Sequence, residues 1–466
     1  MASSLSSATS LTLSAERGAL ASNTEQSITV LVSMVAAEAA AAVRQPLELV
    51  ACVDRSGSMN GAKIQQMKDS LQFLVNHGLQ KADKLAIVAF DNNVETRLTV
   101  TKMDAAGKKR ALKAIDELRP GGATNLSGGL LQSIDLLSHG AVSAGTNRAV
   151  LLFTDGIANN GIREPTAIVA AAQGAMEAAP CTIFTFGFGS DHTEDLLRSL
   201  AESTNGLYYF VTKPEDIPTS FADCLGGLVS IVAQNALLTL DAVDGTLLGE
   251  ARCPYKRELA GPRLTVSLGD LYSEDEKDIL LEVKLPTLQA ARPEAAVALQ
   301  ASLRYFSVAS SSMETVSATL SLSRPEATPA NQPVNARLEE QRNRIDVAEA
   351  MRKASTLADN GQLDEGRDLI RMAVAHAKAS PAAASPIVNG IIEEAERVQS
   401  TFVDRHMYHD LGAKMSKMSA MSNMMQRSTH TSAMVYEKKS KLAMKGLFSS
   451  SSAAARSTAV SASPPP

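Results

Sequence analysis

Between Leu47 and Val232, short apolar runs alternate with stretches of helical periodicity, and that alternation constrains the fold more than any other feature of the chain. The runs are Leu47 to Val53, Lys84 to Phe90, Val94 to Val100, Arg148 to Phe153, Thr182 to Phe188 and Leu207 to Val211. Helical patterns lie between them, near 62–79, 104–118, 126–138, 165–178, 192–204 and 215–232. Strands separated by helices are joined by crossovers, so the sheet they form is mostly parallel and covered on both faces. Nearly unbroken apolar runs suit strands buried on both sides. DNN at 91–93 links the second and third runs closely enough for a hairpin, which predicts an antiparallel edge. The fold class is α/β, doubly wound, with a mostly parallel sheet.

The flanks follow a different rule. Apolar residues alternate at Leu11 and Leu13 and again at Ile28, Val30, Val32 and Met34. The same period of two returns after Asn235, in Leu238 and Leu240, in Leu264, Val266 and Leu268, in Ile279, Leu281, Val283 and Leu285, and onward to Leu322. Such spacing indicates half-buried antiparallel strands. Two isolated strands do not make a stable sheet, so residues 1–45 are expected to complete a β-sandwich with 234–325, with the α/β domain, 46–233, inserted between them. A fragment running from 47 to 232 is then expected to be soluble by itself.

Beyond a Pro-punctuated linker at 323–333, three amphipathic patterns within 334–405 suggest a small α-helical bundle. Residues 406–448 form a Met-rich basic tail. Met415, Met418, Met421 and Met425 keep helical spacing beside Lys414, Lys417, Arg427, Lys438, Lys439, Lys441 and Lys445. Such a stripe could meet an acidic partner or a membrane surface, although docking on the bundle is the simpler expectation. Residues 449–466 are low in complexity and expected to be disordered.

A formal net charge of −5 over 466 residues argues against a general nucleic-acid binder. No apolar run is long enough for a membrane span, and the Ser-rich opening lacks the arginines of a transit peptide. Cys52, Cys181, Cys224 and Cys253 are far apart and form no CxxC, which points to buried free thiols and a reducing, cytoplasmic location.

The chemistry collects in three segments. The strand from Leu47 stops at Asp54-Arg55-Ser56-Gly57-Ser58; a Gly-Gly-Ala-Thr-Asn turn at 121–125 presents Thr124; a third strand ends at Phe153-Thr154-Asp155-Gly156. Ligands of open α/β sheets sit at the carboxyl ends of the strands, where topology would bring these oxygens together. Asp54, Ser56, Ser58, Thr124 and Asp155 supply three hydroxyls and two carboxylates, a hard-oxygen set suited to Mg²⁺, or to Mn²⁺ or Ca²⁺. If the hydroxyls bind directly and an aspartate acts through water, the ion stays incompletely neutralised and attracts an acidic side chain of a partner. Helix capping by Ser58, Thr124 and Asp155 is the competing explanation.

DRSGS, GGATN and FTDG resemble the metal-ion-dependent adhesion site of the von Willebrand factor type A (VWA) domain, a Rossmann-like fold, and the five residues named above match its five ligand positions. The resemblance implies a metal-dependent protein-interaction module. The flanking sandwich and helices are similar to intracellular eukaryotic proteins that couple this domain to a helical module found with Hint domains, and to plant RING ubiquitin ligases. The chain has no Cys/His series for a RING, so that likeness implies a scaffold or adaptor rather than a ligase. A Mg²⁺-dependent phosphoesterase is the enzymatic rival, but its acid/base carboxylate would stand two residues after Asp54, where this chain has Ser56. Neither a Walker lysine nor a GxGxxG is present. His77, His139 and His192 lie in or beside helices and are expected to be solvated. The chain is accordingly expected not to be an enzyme.

Overall fold

Alternating apolar residues make strands of the first described segments, β1 (Ser10–Ala15) and β2 (Gln26–Val35). A computed structural model of the chain describes residues 9–39, 44–139, 146–429 and 431–460. The chain divides into one unit of 1–44, 231–408 and 419–428, and another of 45–230, 409–418 and 429–466.

The second of these is the α/β unit. Its strands are β3 (Leu47–Asp54), β4 (Lys84–Phe90), β5 (Val94–Lys102), β6 (Asn147–Thr154), β7 (Thr182–Phe188) and β8 (Tyr208–Val211), in the spatial order β5-β4-β3-β6-β7-β8. Only β5, among the described strands of this sheet, runs antiparallel to its neighbour, as the DNN hairpin predicts. The helices are α1 (Ala62–Phe73), α2 (Ala105–Asp116), α3 (Leu126–Ser138), α4 (Pro165–Met176), α5 (Glu194–Glu202) and α6 (Ile217–Leu228). β3 and β6 are buried at every position, which is why their sequences are apolar without alternation. From β3 the chain builds outward to β4 and β5, then returns to place β6 on the other side of β3. That reversal is a topological switch point, and it opens a crevice at the strands' carboxyl ends.

The other unit holds β9 (Ile231–Ala242), β10 (Leu247–Arg252), β11 (Lys256–Ala260), β12 (Arg263–Tyr272), β13 (Glu276–Leu285), β14 (Arg292–Ser307) and β15 (Ser312–Arg324). One sheet has the order β1-β2-β13-β10, the other β11-β12-β9-β14-β15. β2 pairs along its whole length with β13, from Gln26 opposite Leu285 to Val35 opposite Glu276. Helices α7 (Ala336–Asp359), α8 (Leu363–Ala379) and α9 (Pro386–Gln399) follow. Leu338 and Ile345 of α7 share a core with Leu31 and Leu280.

The C-terminal elements are α10 (Arg405–Met407), α11 (Ala413–Met425) and α12 (Lys439–Val460). α12 continues past Ser449, where composition sets the start of disorder, because the run Ala453–Ala455 favours helix; residues 461–466 lie outside the described ones. The basic tail is not a free charged face. Lys414, Lys417, Arg427 and Lys441 are buried. In the unit that holds the two antiparallel sheets, Gln426 hydrogen-bonds both backbone groups of Asp278, and Arg427 pairs with Asp275 at 3.2 Å. In the α/β unit, Lys417 pairs with Glu194 at 3.0 Å and Asp195 at 2.7 Å, while Lys441 and Lys445 reach the buried Asp223 at 2.8 and 2.9 Å. Gly226 of α6 permits the approach of α12: a Cβ there would lie 2.6 Å from Lys441 Cα. These lysines and arginines therefore offer no membrane-binding surface. The α/β unit also extends beyond 47–232, so a fragment cut to those limits would lose α12 and the cations that neutralise Asp223.

Stripping a buried carboxylate of its cations costs several kcal/mol. The double variant Lys441→Met, Lys445→Met is expected to lose about 3 kcal/mol in urea denaturation, and adding Asp223→Asn should restore at least half of it. Unchanged stability of the double variant would show that α12 is dispensable to this unit.

Candidate metal site

Parallel pairing sets Val53 of β3 opposite Phe153 of β6, so the two strands deliver Asp54 and the Thr154-Asp155 pair to the same edge of the sheet. Backbone hydrogen bonds draw in the third segment. Gly57 N donates to Gly122 O at 3.1 Å and Gly121 N to Arg55 O at 2.7 Å, fastening the 121–125 turn to the turn after β3. On the other side, Thr124 O accepts from Asn159 N and Asn160 N, and Thr124 N donates to Asn159 Oδ1 at 2.8 Å. Three segments far apart in sequence are thus held together by main-chain groups, leaving the side chains for other work.

Hydrogen bonds link Asp54, Ser56, Ser58 and Asp155, and Thr124 lies close by, across Gly156. Asp54 accepts from Ser56 N through Oδ1 at 2.7 Å and from Thr154 Oγ1 through Oδ2 at 2.6 Å. Ser56 Oγ lies 3.1 Å from Ser58 Oγ, which donates to Asp155 Oδ1 at 2.7 Å. Lys63 Nζ, from the first turn of α1, meets Asp155 Oδ2 at 2.5 Å. At Gly156 a Cβ would stand 3.2 Å from Thr124 Oγ1 and 3.9 Å from Ser58 Oγ. Glycine keeps that space open between the two hydroxyls. All five residues singled out in the sequence therefore converge; Asp54, Ser56, Thr124 and Asp155 are buried and Ser58 is exposed.

Helix capping does not explain them. The residue before α1 is Gly61; α3 is capped by Asn125, which accepts from Gly128 N, and α4 by Glu164, which accepts from Ala167 N. Asp155 faces the Lys63 ammonium while Asp54 has only neutral donors, so an ionised Asp54 carries a buried negative charge with no ammonium or guanidinium against it among the described residues. Burial, partly countered by the hydrogen bonds from Ser56 and Thr154 and reinforced by Asp155, pushes Asp54 up to about 6. Among the described residues no group of three or more His, Cys, Asp and Glu is disposed to hold a metal. The set that does converge is rich in hydroxyls, which suits a hard cation and not zinc or a redox metal.

Three participants escape the sequence reading. Thr154 stands inside the FTDG motif, and its proximity to Asp155 was the available signal. Lys63 and Asn159 carry no local signal, since only the folded turns bring them to Asp155 and Thr124. His192, expected in solvent, is buried: Nε2 lies 2.6 Å from Tyr208 Oη, and burial, then Lys414, hold its imidazole down at about 3. It is a neutral core residue. His77 and His139 are exposed.

Residues 48–223 match the family model of the von Willebrand factor type A domain. The chain is 29% identical over 258 residues to the E3 ubiquitin-protein ligase WAV3 of Arabidopsis thaliana, covering 52% of this chain and 32% of that protein. It is 25% identical over 254 residues to an uncharacterized protein of Synechocystis, covering 53% and 59%, and 26% identical over 247 residues to rat inter-alpha-trypsin inhibitor heavy chain H3, covering 51% and 27%. The chain thus spans less than two thirds of the length of each of these curated relatives. A solved von Willebrand factor type A protein from Catenulispora acidiphila superposes with TM-score 0.67 at 15% identity, covering 89% of this chain and 98% of that one. The ArnB paralog VWA2 from Sulfolobus acidocaldarius gives 0.60 at 16% identity, covering 90% and 98%. The α/β part of the chain is a VWA domain, accompanied by further sheets and a C-terminal helical region.

The electrostatics make a signed prediction. Asp54 titrates near 6 in the fold and near 3.8 when unfolded, so the folded state holds the extra proton between those values. Its contribution to stability is present below about pH 4 and is lost as the pH rises through 6. In EDTA, Asp54→Asn is therefore expected to be more stable than the wild type at pH 7.5 by on the order of 2 kcal/mol, and to show no such gain at pH 4. Urea denaturation at the two pH values checks this; a variant less stable at pH 7.5 would contradict it.

Proposed function

We propose that the chain is a metal-dependent protein-interaction module whose Asp54, Ser56, Ser58, Thr124 and Asp155 hold a divalent cation and which binds an acidic residue of a partner. One observation carries the reading: three hydroxyls and two carboxylates meet at the switch point of the sheet, and only Asp155 of the two carboxylates faces an ammonium among the described residues. Mg²⁺ fits this all-oxygen set best, with Mn²⁺ and Ca²⁺ as the alternatives. A cation bound there would present an open coordination position to an incoming carboxylate. The chain's own contribution is to keep the hydroxyls aimed at one point, to fix Asp54 through Ser56 N and Thr154, and to exclude water around all but Ser58.

No enzymatic step is part of the proposal. A phosphoesterase would need a carboxylate where Ser56 stands, and the histidines that could move protons are elsewhere, His192 in the core. A second reading, a scaffold or adaptor, is favoured by the similarity to a plant ubiquitin ligase, and is compatible with the first because an adaptor needs a binding site. We further propose a cytoplasmic, eukaryotic protein whose α7–α9 are of the Hint-associated type. Four free cysteines support a reducing location, and among the described residues no helix is long and apolar enough to cross a membrane.

Calorimetry tests the reading. Asp54→Ala should abolish Mg²⁺ binding without unfolding the protein. Thr124→Ala should weaken binding of an acidic peptide by at least ~2 kcal/mol, and EDTA should do the same to the wild type. Lys63→Ala, which removes the ammonium paired with Asp155, should tighten Mg²⁺ binding. Peptide binding of equal strength in wild type and Thr124→Ala, with and without EDTA, would overturn the proposal.

A further inference from the structure

The loop between β6 and α4 begins at Asp155 and exposes two large apolar side chains, Ile157 at 60% and Ile162 at 38%. A single exposed isoleucine needs no explanation, but two on one short loop beside a buried polar site do. The loop is not loose. Asn159 N and Asn160 N both donate to Thr124 O, Asn160 Nδ2 donates to Asn92 O at 3.1 Å, and Ile162 N donates to Ser127 Oγ at 2.9 Å. Gly161 takes φ +72°, and a Cβ there would come within 2.3 Å of Asn125 Oδ1, so the chain folds back tightly between the two isoleucines. Ala158, between them in sequence, is buried and anchors the near end. The isoleucines are therefore displayed by a preorganised backbone, the condition under which apolar contacts add most to affinity.

Charges of both signs stand beside the loop, and most of them are already engaged. Arg163 follows Ile162 and is exposed, Lys63 pairs with Asp155, and the nearby Glu164 is engaged in capping α4 through Ala167 N. Ile157 is two residues from Asp155, a reach of at most about 7 Å along the chain. In an extended peptide that is the distance between side chains on one face.

We propose that segment 156–163 of this loop is a specificity surface that reads a large apolar side chain within two positions of the acidic residue taken at the metal site. The partner is thus an extended acidic segment with an apolar neighbour to its carboxylate, and not any acidic surface. This rests on the cation-dependent reading above, which recognises the carboxylate alone.

The test uses the full chain and two short Gly/Ser peptides, one with a single glutamate flanked by leucines, the other with serines in place of the leucines. Both are titrated in Mg²⁺ and in EDTA. The leucine peptide should bind about tenfold more tightly or better in Mg²⁺, a margin matching burial of one aliphatic side chain. The Ile157→Ser, Ile162→Ser variant should bind both peptides alike, with Mg²⁺ affinity unchanged, which also shows that the site is folded. Equal, Mg²⁺-dependent affinities of the wild type for the two peptides would overturn this inference and leave the cation reading standing. No binding of either peptide in Mg²⁺ would overturn both.

Discussion

Parallel pairing of β3 with β6 is the contact on which the candidate site depends. Both strands are buried throughout and their register sets Val53 against Phe153, so the first polar residues past the apolar runs emerge at one level. A shift of register would part Asp54 from Thr154 and separate the two carboxylates' environments. Because the apolar residues of β3 and β6 cannot slide toward water without cost, hydrophobic burial fixes the positions of the polar groups at their ends. The core builds the site.

Burial also makes the site electrostatically unusual. A carboxylate in a dry crevice is costly unless it is neutralised by a proton, a cation or several hydrogen bonds. Asp155 has Lys63; Asp54 has only neutral donors. Proton and metal are therefore alternative answers to the same cost, and the hydroxyls of Ser56, Ser58 and Thr124 favour the metal by supplying neutral oxygens that add no further charge. A set made only of carboxylates would saturate a divalent ion. This one would leave it attractive to a carboxylate from outside.

Much of the fold was legible because its signals are local. Apolar runs without alternation gave the central strands, with Lys84–Phe90 and Thr182–Phe188 bounded as the sequence suggests. The five candidate ligands were legible for the same reason: each sits at or just past the end of a strand or in a Gly-Gly turn. What escaped was carried by long-range contacts. Nothing near Lys63 says that it reaches Asp155, and nothing near His192 says that its neighbours bury it against Tyr208. The tail was legible in part: docking on the bundle was the simpler expectation and Asn423 does donate to Glu394 of α9 at 2.9 Å, but only tertiary structure reveals Asp223 and Asp195 as the partners of its lysines. Buried charge is invisible to periodicity, since the pattern records polarity and not pairing.

The central claim, that the three segments gather around a cation, is tested most directly by anomalous diffraction from crystals of the full chain grown with Mn²⁺. The account predicts an anomalous peak within about 2–2.5 Å of the Ser56, Ser58 and Thr124 hydroxyls, with Asp54 and Asp155 ligating it directly or through water. A map at saturating Mn²⁺ without a peak there, and with Lys63 still paired to Asp155, would contradict it.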